Sequence, residues 1–209
     1  MLFDLHVHTA LSPCSNMNID DIVVRARQRG LDGICITDHN TMDIRHAIAE
    51  GIQENGLCVL FGMEYSTPQG DFLIFGQFED LASDLDGDLL LSTVRNRGGA
   101  AVAAHPFRKA RPTDERLVRS SLCCGVERIN GRNTFSENSA VERWIRRYRL
   151  TQCGGSDAHT LDELGTFATR FFMPVRSRAD LIQALDRGLC RPEIPAGQAL
   201  RSTKGEFDS

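Results

Sequence analysis

The first apolar stretch of the chain, DLHVH, carries Asp4, His6 and His8 at every second position. Successive side chains of a β-strand point to opposite faces, so this spacing predicts that the three polar side chains share one face. Leu5 and Val7 would then point to the other face. An acid and two imidazoles that lie side by side form a pattern that presents ligands.

Four more polar stretches each follow an apolar run, and together with DLHVH they contain five of the six histidines. They are ITDH with Asp38 and His39, GMEYST with Glu64, AHPF with His105, and GGSDAH with Asp157 and His159. In a parallel α/β fold, functional side chains gather where the strands end at their carboxyl edge. We therefore expect the five stretches to converge in space.

A cleft that buries so many carboxylates and imidazoles is costly unless a cation compensates them. Two or three divalent metal ions would supply that charge, and zinc, manganese and iron are the ions that suit imidazole and carboxylate ligands. A single histidine or acid at a strand end is more often a structural residue. The prediction of a metal site therefore depends on the five stretches taken together.

Short apolar runs alternate with amphipathic segments along most of the chain, which predicts strands that alternate with helices. The clearest helix begins at Ile19, after Asn18 as its N-cap, and ends before Gly30. Further helices are predicted within residues 42–50 and across residues 136–149. This alternation predicts a mainly parallel sheet with helices outside it, and it leaves a barrel and a doubly wound sheet open.

Length and composition are those of a globular chain: 209 residues, 41% hydrophobic and 25% charged, with a formal net charge of −4. We expect a single domain over residues 1–190 and a loosely ordered tail over residues 191–209. The net charge predicts no general affinity for polyanions. The seven cysteines are an odd number without regular spacing, and no stretch predicts a signal peptide or a membrane span, so we expect a cytoplasmic protein without a membrane partner.

The motifs DLHVHT, ITDHN, GMEYS, AHPF and GSDAH, in this order, resemble the PHP family, which is named for polymerase and histidinol phosphatase domains. The resemblance extends from Phe3 to about Arg187. It implies a distorted (β/α)7 barrel whose carboxyl-edge cleft holds two or three divalent metals. It also implies hydrolysis of phosphoesters by a metal-activated water.

The resemblance further implies a set of metal ligands. The first metal would be bound by His6, His8, Glu64 and Asp157. Glu64 would bridge to a second metal held by His105, and His39 and His159 would bind a third.

Several positions leave alternatives open. Cys14 in ALSPCS stands where the family more often has histidine or aspartate, and it is either a ligand of the third metal or a bystander. Glu127 and Asn130 in GVERIN both compete to complete the second site. Their strand parity differs, so they cannot both face the site while the strand continues, and Glu127 is preferred. We expect Asp4 and Asp38 to orient metal-bound histidines.

A phosphate group needs donors beyond the metals, and the planar forks of arginine suit it. Arg108 follows AHPF and Arg132 lies in INGRN, so both are predicted to bind substrate. Asp157 or His159 is predicted to assist proton transfer.

The sequence thus favours an enzyme that hydrolyses a small phosphorylated metabolite or nucleotide. An activity that trims nucleic-acid ends is the alternative, which the net charge disfavours. A scaffold without metals ranks lower, because the ligand set is complete. Substrate, metal identity and oligomeric state stay open.

Overall fold

The computed structural model describes residues 1–195, which form eleven strands, six α-helices and one 3-10 helix, Asp43–His46. The strands are β1 Leu2–Val7, β2 Gly33–Ile36, β3 Gly51–Ile52, β4 Cys58–Phe61, β5 Met63–Thr67, β6 Gly70–Phe75, β7 Ala100–Ala103, β8 Gly125–Asn130, β9 Thr151–Gly155, β10 Ala168–Phe171 and β11 Cys190–Glu193. The α-helices are α1 Ile19–Gln28, α2 Gly87–Asn96, α3 Glu115–Arg119, α4 Phe135–Ala140, α5 Glu142–Tyr148 and α6 Arg178–Asp186. Within the same residues, none of these helices combines the length and the apolar character that a bilayer crossing requires.

The strands form two mixed sheets, one ordered β11-β10-β1-β2-β4-β3 and the other β5-β6-β7-β8-β9. Parallel pairs join β1 to β2, β2 to β4, β7 to β8 and β8 to β9, and the remaining pairs are antiparallel. The α/β class is therefore confirmed. The closed (β/α)7 barrel is not confirmed, since the described strands leave two separate hydrogen-bonded sheets.

The break between the sheets lies at Gly62, where the chain leaves β4 and enters β5. A Cβ atom at Gly62 would lie 2.7 Å from the ring of Phe75, so only glycine allows this close passage. The chain then returns through the tight β5–β6 hairpin, which brings an antiparallel pair into the second sheet. A hairpin at this point is incompatible with a uniform strand–helix alternation.

Both sheets contribute to one shared apolar core. This core includes Phe3 and Leu5 of β1, Leu60 of β4, Leu73 and Phe75 of β6, and Val102 of β7, with Leu181, Ala184 and Leu185 of α6 packed against them. Two further clusters pack helices against the sheets, one beside α1 and the other beside α2, α3 and α5. The burial of these apolar groups is the main stabilising term, and it holds the two sheets in a fixed relation.

A β-bulge in β1 overturns the prediction for Asp4. Asp4 pairs with Ile34 and Val7 with Ile36, so β1 has one more residue than β2 between these pairs. The extra residue reverses the alternation of faces. Asp4 therefore lies on the side opposite to that predicted, and only His6 and His8 are brought to the site.

A second bulge in β8 corrects the parity argument for Glu127 and Asn130. Glu127 pairs with Cys153 and Ile129 with Gly154, which again inserts one residue. Both Glu127 and Asn130 are fully buried, and Asn130 Nδ2 donates to Glu127 Oε2 at 2.9 Å. The two side chains thus face the same site within one strand.

Other segments also differ from the predictions. Residues 42–50 form only the short 3-10 helix, and the helix predicted over residues 136–149 is divided at the buried Val141 into α4 and α5. Residues 191–193 of the predicted tail belong to β11, which ends at Glu193, and the carboxylate of Glu193 binds the guanidinium of Arg170. Residues 196–209 lie outside the described part of the chain.

Candidate metal centre

Four histidines surround the carboxylate of Glu64. Oε2 of Glu64 lies 3.2 Å from His6 Nε2, 3.3 Å from His8 Nε2 and 3.0 Å from His39 Nδ1. The other oxygen, Oε1, lies 2.8 Å from His105 Nε2. His8, His39 and His105 follow the carboxyl ends of β1, β2 and β7, and Glu64, at the start of β5, follows that of β4. The convergence at carboxyl ends that the sequence predicts is therefore observed.

Asp157, two residues after the end of β9, approaches the same two histidines. Its Oδ1 lies 3.5 Å from His6 Nε2 and 3.3 Å from His8 Nε2, and it is 3.6 Å from His159 Nδ1. Its Oδ2 accepts a hydrogen bond of 2.7 Å from Arg108. Asp157 has a positive φ of 54°, and His105 has a φ of 30°, so two of the converging residues adopt a backbone conformation that is strained for side chains of their type.

Hydrogen bonds fix which nitrogen of three histidines faces the site. His6 Nδ1 donates to Glu127 Oε1 at 2.9 Å, and His159 Nδ1 donates to the carbonyl of Asp157 at 2.8 Å. His8 Nδ1 lies 3.2 Å from Ser12 Oγ, which gives its own proton to Asp38, so His8 must donate here too. In each case the Nε2 lone pair is left facing the cluster.

This donor set fits a divalent metal ion. Among the described residues, the buried Nε2 atoms of His6 and His8 have no hydrogen-bond partner. Such atoms are costly to bury unpaired. With Asp157 they offer three ligand atoms within 4.8 Å of one another, and two imidazoles with carboxylates are typical ligands of zinc, manganese or iron.

The electrostatics favour a cation in the same place. Burial lowers the pKa of His6, but the carboxylates of Asp157, Glu127 and Glu64 outweigh it and raise that pKa well above its ordinary value. Burial raises the pKa of Glu64, yet the charge of His6 and hydrogen bonds from neighbouring histidines bring it well below its usual range. The carboxylates are thus held ionised, and they attract positive charge to the cluster.

Cys14 lies at the edge of a second group of ligands. Ring nitrogens of His8, His39 and His159 come within 4.8 Å of one another, and the exposed Cys14 places its Sγ 3.1 Å from His159 Nε2. Cys14 therefore lies beside the histidines of the third predicted metal site, which is where it was predicted to be either a ligand or a bystander.

Comparison with known proteins decides the family. A family model described as PHP domain matches residues 4–124, more than half of the chain. This chain belongs to the PHP family. A second model, described as PHP-associated, matches residues 135–190, and the resemblance inferred from the five motifs is confirmed.

Relatives of this PHP protein include "Uncharacterized protein MJ1587" of Methanocaldococcus jannaschii, which is 29% identical over 159 residues, or 70% of this chain and 92% of that protein. Among solved structures, PsfC from Pseudomonas syringae PB-5123 gives a TM-score of 0.75 at 20% identity, over 93% of this chain and 91% of that chain. At this identity the likeness shows a shared fold.

Two more solved structures share this PHP fold. A two-domain protein from Bacteroides vulgatus, which contains a predicted PHP-like metal-dependent phosphoesterase, gives a TM-score of 0.71 at 19% identity over 93% of this chain and 65% of that chain. The lesion-specific endonuclease PfuEndoQ from Pyrococcus furiosus gives 0.69 at 13% identity, over 92% of this chain and 58% of that chain.

Glu127 has both carboxylate oxygens occupied in this PHP domain. Oε1 accepts from His6 Nδ1, and Oε2 accepts from the backbone NH of His105 at 2.8 Å and from Asn130. The sequence predicted Glu127 as a metal ligand, and in the structure both of its oxygens accept hydrogen bonds from the protein. Glu127 instead orients His6, which is the task predicted for Asp4.

The two aspartates predicted to orient histidines differ in what they contact. Asp38 accepts from Ser12 Oγ at 2.6 Å, and Ser12 in turn contacts His8, so Asp38 orients His8 through one hydroxyl. Asp4 accepts from the hydroxyl and backbone NH of Ser156, and from the backbone NH of His6 and of Gly165. Burial raises the pKa of Asp4 to about 6, against the opposing effect of these hydrogen bonds. Asp4 therefore fixes backbone segments around the site.

A cleft of about 390 Å³ opens over the PHP centre. It is lined by Cys14, His39, Glu64, Ser66, Asp71, His105, Arg108, Arg111, Arg132, Asp157 and His159. Both predicted substrate-binding arginines, Arg108 and Arg132, are present, and Arg132 lies 3.7 Å from the carboxylate of Glu163.

Asp71 and Arg111 also line the cleft, and neither was predicted from the sequence. Asp71 has the same strand parity in β6 as Leu73 and Phe75, which belong to the inner core. A lone acid that alternates with inward apolar residues was the available signal. Arg111 gave no comparable signal, because its loop has no periodicity.

Proposed function

We propose that this PHP protein is a metal-dependent phosphoesterase that acts on a small phosphorylated metabolite or nucleotide. One observation supports this most strongly. The unpaired Nε2 atoms of His6 and His8 converge on the carboxylates of Glu64 and Asp157 at 3.2 to 3.5 Å, which is a donor set for a divalent cation at the base of a cleft with arginines on its rim.

The proposed ligand sets are supported by the atoms that face each group. His6, His8, Glu64 and Asp157 would hold one ion, and Glu64 with His105 would hold a second. His39, His159 and Cys14 would hold a third. Bound metals would supply a water of lowered pKa and would offset negative charge on the phosphate oxygens.

The chain's own residues hold and orient these ligands. Glu127 and Asp38 fix the tautomers of His6 and His8, so that both Nε2 lone pairs face inward. Arg108 occupies Asp157 Oδ2 and leaves Oδ1 for the cluster, while its remaining N–H groups serve the substrate. We assign assistance in proton transfer to Asp157 or His159, with Asp157 as a proton acceptor because its carboxylate is held ionised by His6 and Arg108.

A nuclease activity is the second candidate. Its support is the fold shared with the endonuclease PfuEndoQ, together with three arginines around one cleft. The small size of the cleft and the net charge of −4 favour a small substrate instead, because gripping a polymer requires an extended basic groove.

A substrate panel with a matched pair of variants tests the proposal. Metal-loaded protein is assayed on p-nitrophenyl phosphate, sugar phosphates, nucleotides and labelled oligonucleotides. Asp157→Asn keeps the shape of the side chain and tolerates a positive φ, and it should lower turnover on the order of 100-fold or more by removing a ligand charge. The control Asp162→Asn changes a side chain that is 93% exposed and should leave turnover unchanged.

Three outcomes would contradict the proposal in different ways. Undiminished turnover by Asp157→Asn would show that the site is misplaced. A preference for oligonucleotides would establish the nuclease instead. Less than about one metal per chain after supplementation with manganese or zinc, with no hydrolysis, would support the scaffold without metals.

A further inference from the structure

The loop that follows β7 carries two arginines three residues apart at the rim of the cleft. Arg108 N donates to the carbonyl of His105 at 2.9 Å, and Arg111 N donates to the carbonyl of Arg108 at 3.0 Å. The backbone NH of Thr113 donates to the carbonyl of Pro106 at 2.9 Å, which forms a further turn. These consecutive turns fix the backbone of both arginines relative to the ligand His105.

Arg111 is held by a buried acid. Its Nε and Nη2 donate to the two carboxylate oxygens of Asp71 at 2.7 and 2.6 Å, and Nη2 also reaches the carbonyl of Thr67 at 3.2 Å. Asp71 is buried, whereas about half of the Arg111 side chain is exposed. The guanidinium is therefore fixed on one edge and open on the other.

Arg108 repeats this arrangement. Its Nε donates to Asn133 at 3.0 Å, and its Nη2 donates to Asn130 and Asp157. Over residues 1–195, neither Arg108 nor Arg111 uses Nη1 in a hydrogen bond with the protein. Arg116, which pairs with Asp88 away from the cleft, uses both Nη1 and Nη2.

We propose that Arg111, oriented by Asp71, binds oxygens of the substrate's phosphoryl group together with Arg108. The inference rests on the proposed function and adds a residue to it. Each guanidinium is already paired with one carboxylate, so the arginines contribute fixed donors more than net charge. Fixed donors favour an anion with several oxygens in a set geometry, and they lose little side-chain entropy when it binds.

Asp71 could instead be a metal ligand. Its carboxylate lies with Glu64 and His105 in a group whose ligand atoms are within 4.8 Å of one another, so it is placed near enough to bind a metal. The bidentate contact with Arg111 uses both of its oxygens, which favours the orienting role. Metal content distinguishes the two roles directly.

Binding of inorganic phosphate to the metal-loaded protein, measured by calorimetry, tests the inference without requiring turnover. Arg111→Gln should weaken phosphate binding by about 10-fold or more, since it removes charge-assisted hydrogen bonds. Asp71→Asn should weaken it less, because the guanidinium remains but is no longer oriented. Arg116→Gln is the control and should bind phosphate as the wild type does.

In steady-state kinetics, the loss of Arg111 should change KM more than it changes kcat. With p-nitrophenyl phosphate, Arg111→Gln should raise KM by about 10-fold with a smaller change in kcat, and Arg111→Lys should restore part of the loss. Metal content, measured by elemental analysis, should stay at the wild-type value in both Arg111 variants and in Asp71→Asn.

Two results would overturn the inference: phosphate affinity of Arg111→Gln equal to that of the wild type, or loss of metal from Asp71→Asn. A wild-type protein that binds phosphate through Arg111 but hydrolyses no phosphoester would support the inference and contradict the proposed function. The two failures are therefore distinguishable.

Discussion

Glu64 lies between four imidazole rings, and a single carboxylate cannot satisfy the hydrogen-bonding capacity of all of them. His6 and His8 keep unpaired Nε2 atoms even though both lie close to Glu64 Oε2. A shared cation would resolve this, because each lone pair and each carboxylate oxygen could then face positive charge.

Replacing Glu64 with Gln tests this at the residue scale. The change preserves shape but removes the negative charge that is proposed to hold two ions, so we expect loss of at least one metal ion per chain and loss of hydrolysis. Elemental analysis measures the first, and circular dichroism confirms that the fold survives. The exposed Glu54→Gln should keep its metals, and full metal content in Glu64→Gln would contradict the assignment.

Absorption spectroscopy of the cobalt-substituted protein tests whether Cys14 binds a metal. If Sγ binds the third metal, cobalt-substituted protein should show the near-ultraviolet charge-transfer absorption of a cobalt–thiolate bond, and Cys14→Ser should abolish it. Cys124→Ser serves as control, because Cys124 lies outside the cleft. Identical spectra for wild type and Cys14→Ser would make Cys14 a bystander.

At this scale the sequence predicted which residues converge better than it predicted what each one contacts. His6, His8, His39, Glu64, His105, Asp157 and His159 all lie together as expected. The contacts of Asp4 and Glu127 differ from those predicted, because which face a strand residue occupies depends on bulges. A bulge has no residue signature in β1 or β8 that the pattern of polar and apolar residues reveals.

At the scale of elements, the site depends on how closely β9 approaches β1. A Cβ atom at Gly155 would lie 2.6 Å from His6 Cβ and 3.0 Å from Glu127 Oε1. The two strands belong to different sheets, so this contact joins the sheets directly behind the proposed metal ligands. Only glycine fits at position 155, because a Cβ atom would clash with His6.

Gly155→Ala should therefore displace His6 and cost roughly 1–3 kcal/mol in the free energy of unfolding. Metal content should fall with it. Gly56→Ala provides the comparison: its φ is +82° with nothing within 4 Å of the added Cβ, so strain destabilises the protein by about 1 kcal/mol while the metals stay bound. Chemical denaturation and elemental analysis measure both effects. Wild-type metal affinity in Gly155→Ala would show that the contact is unimportant.

For the whole molecule, the α/β class could be predicted because strands and amphipathic helices alternate visibly. The division into two sheets could not. It depends on the passage at Gly62 and on antiparallel pairing of β5 with β6 and of β10 with β11, which are contacts between distant backbones rather than local preferences. The helix predicted in residues 42–50 is replaced by a short 3-10 helix, because only Met42 and Ile44 of this segment are buried and so little packing stabilises a longer helix.

Stability of the whole chain should depend on metal. Three buried carboxylates, Glu64, Glu127 and Asp157, lie close to imidazoles in the folded state, and the unfolded chain has no preformed site. Free metal at 100 times its dissociation constant should add about 2.7 kcal/mol to the free energy of unfolding. Thermal unfolding with and without a chelator measures this, and Glu64→Gln should show a much smaller difference. Equal melting temperatures for wild type under both conditions would contradict the coupling.

The positive φ angles at His105 and Asp157 have an evolutionary consequence. Each costs on the order of 1–3 kcal/mol of strain, which glycine would relieve. Both side chains are buried, and His105 contacts Glu64 while Asp157 contacts Arg108, so glycine at either position would relieve the strain but leave these partners unpaired. A lineage without selection on the cleft would therefore be expected to lose His105 and Asp157 only together with the groups that face them.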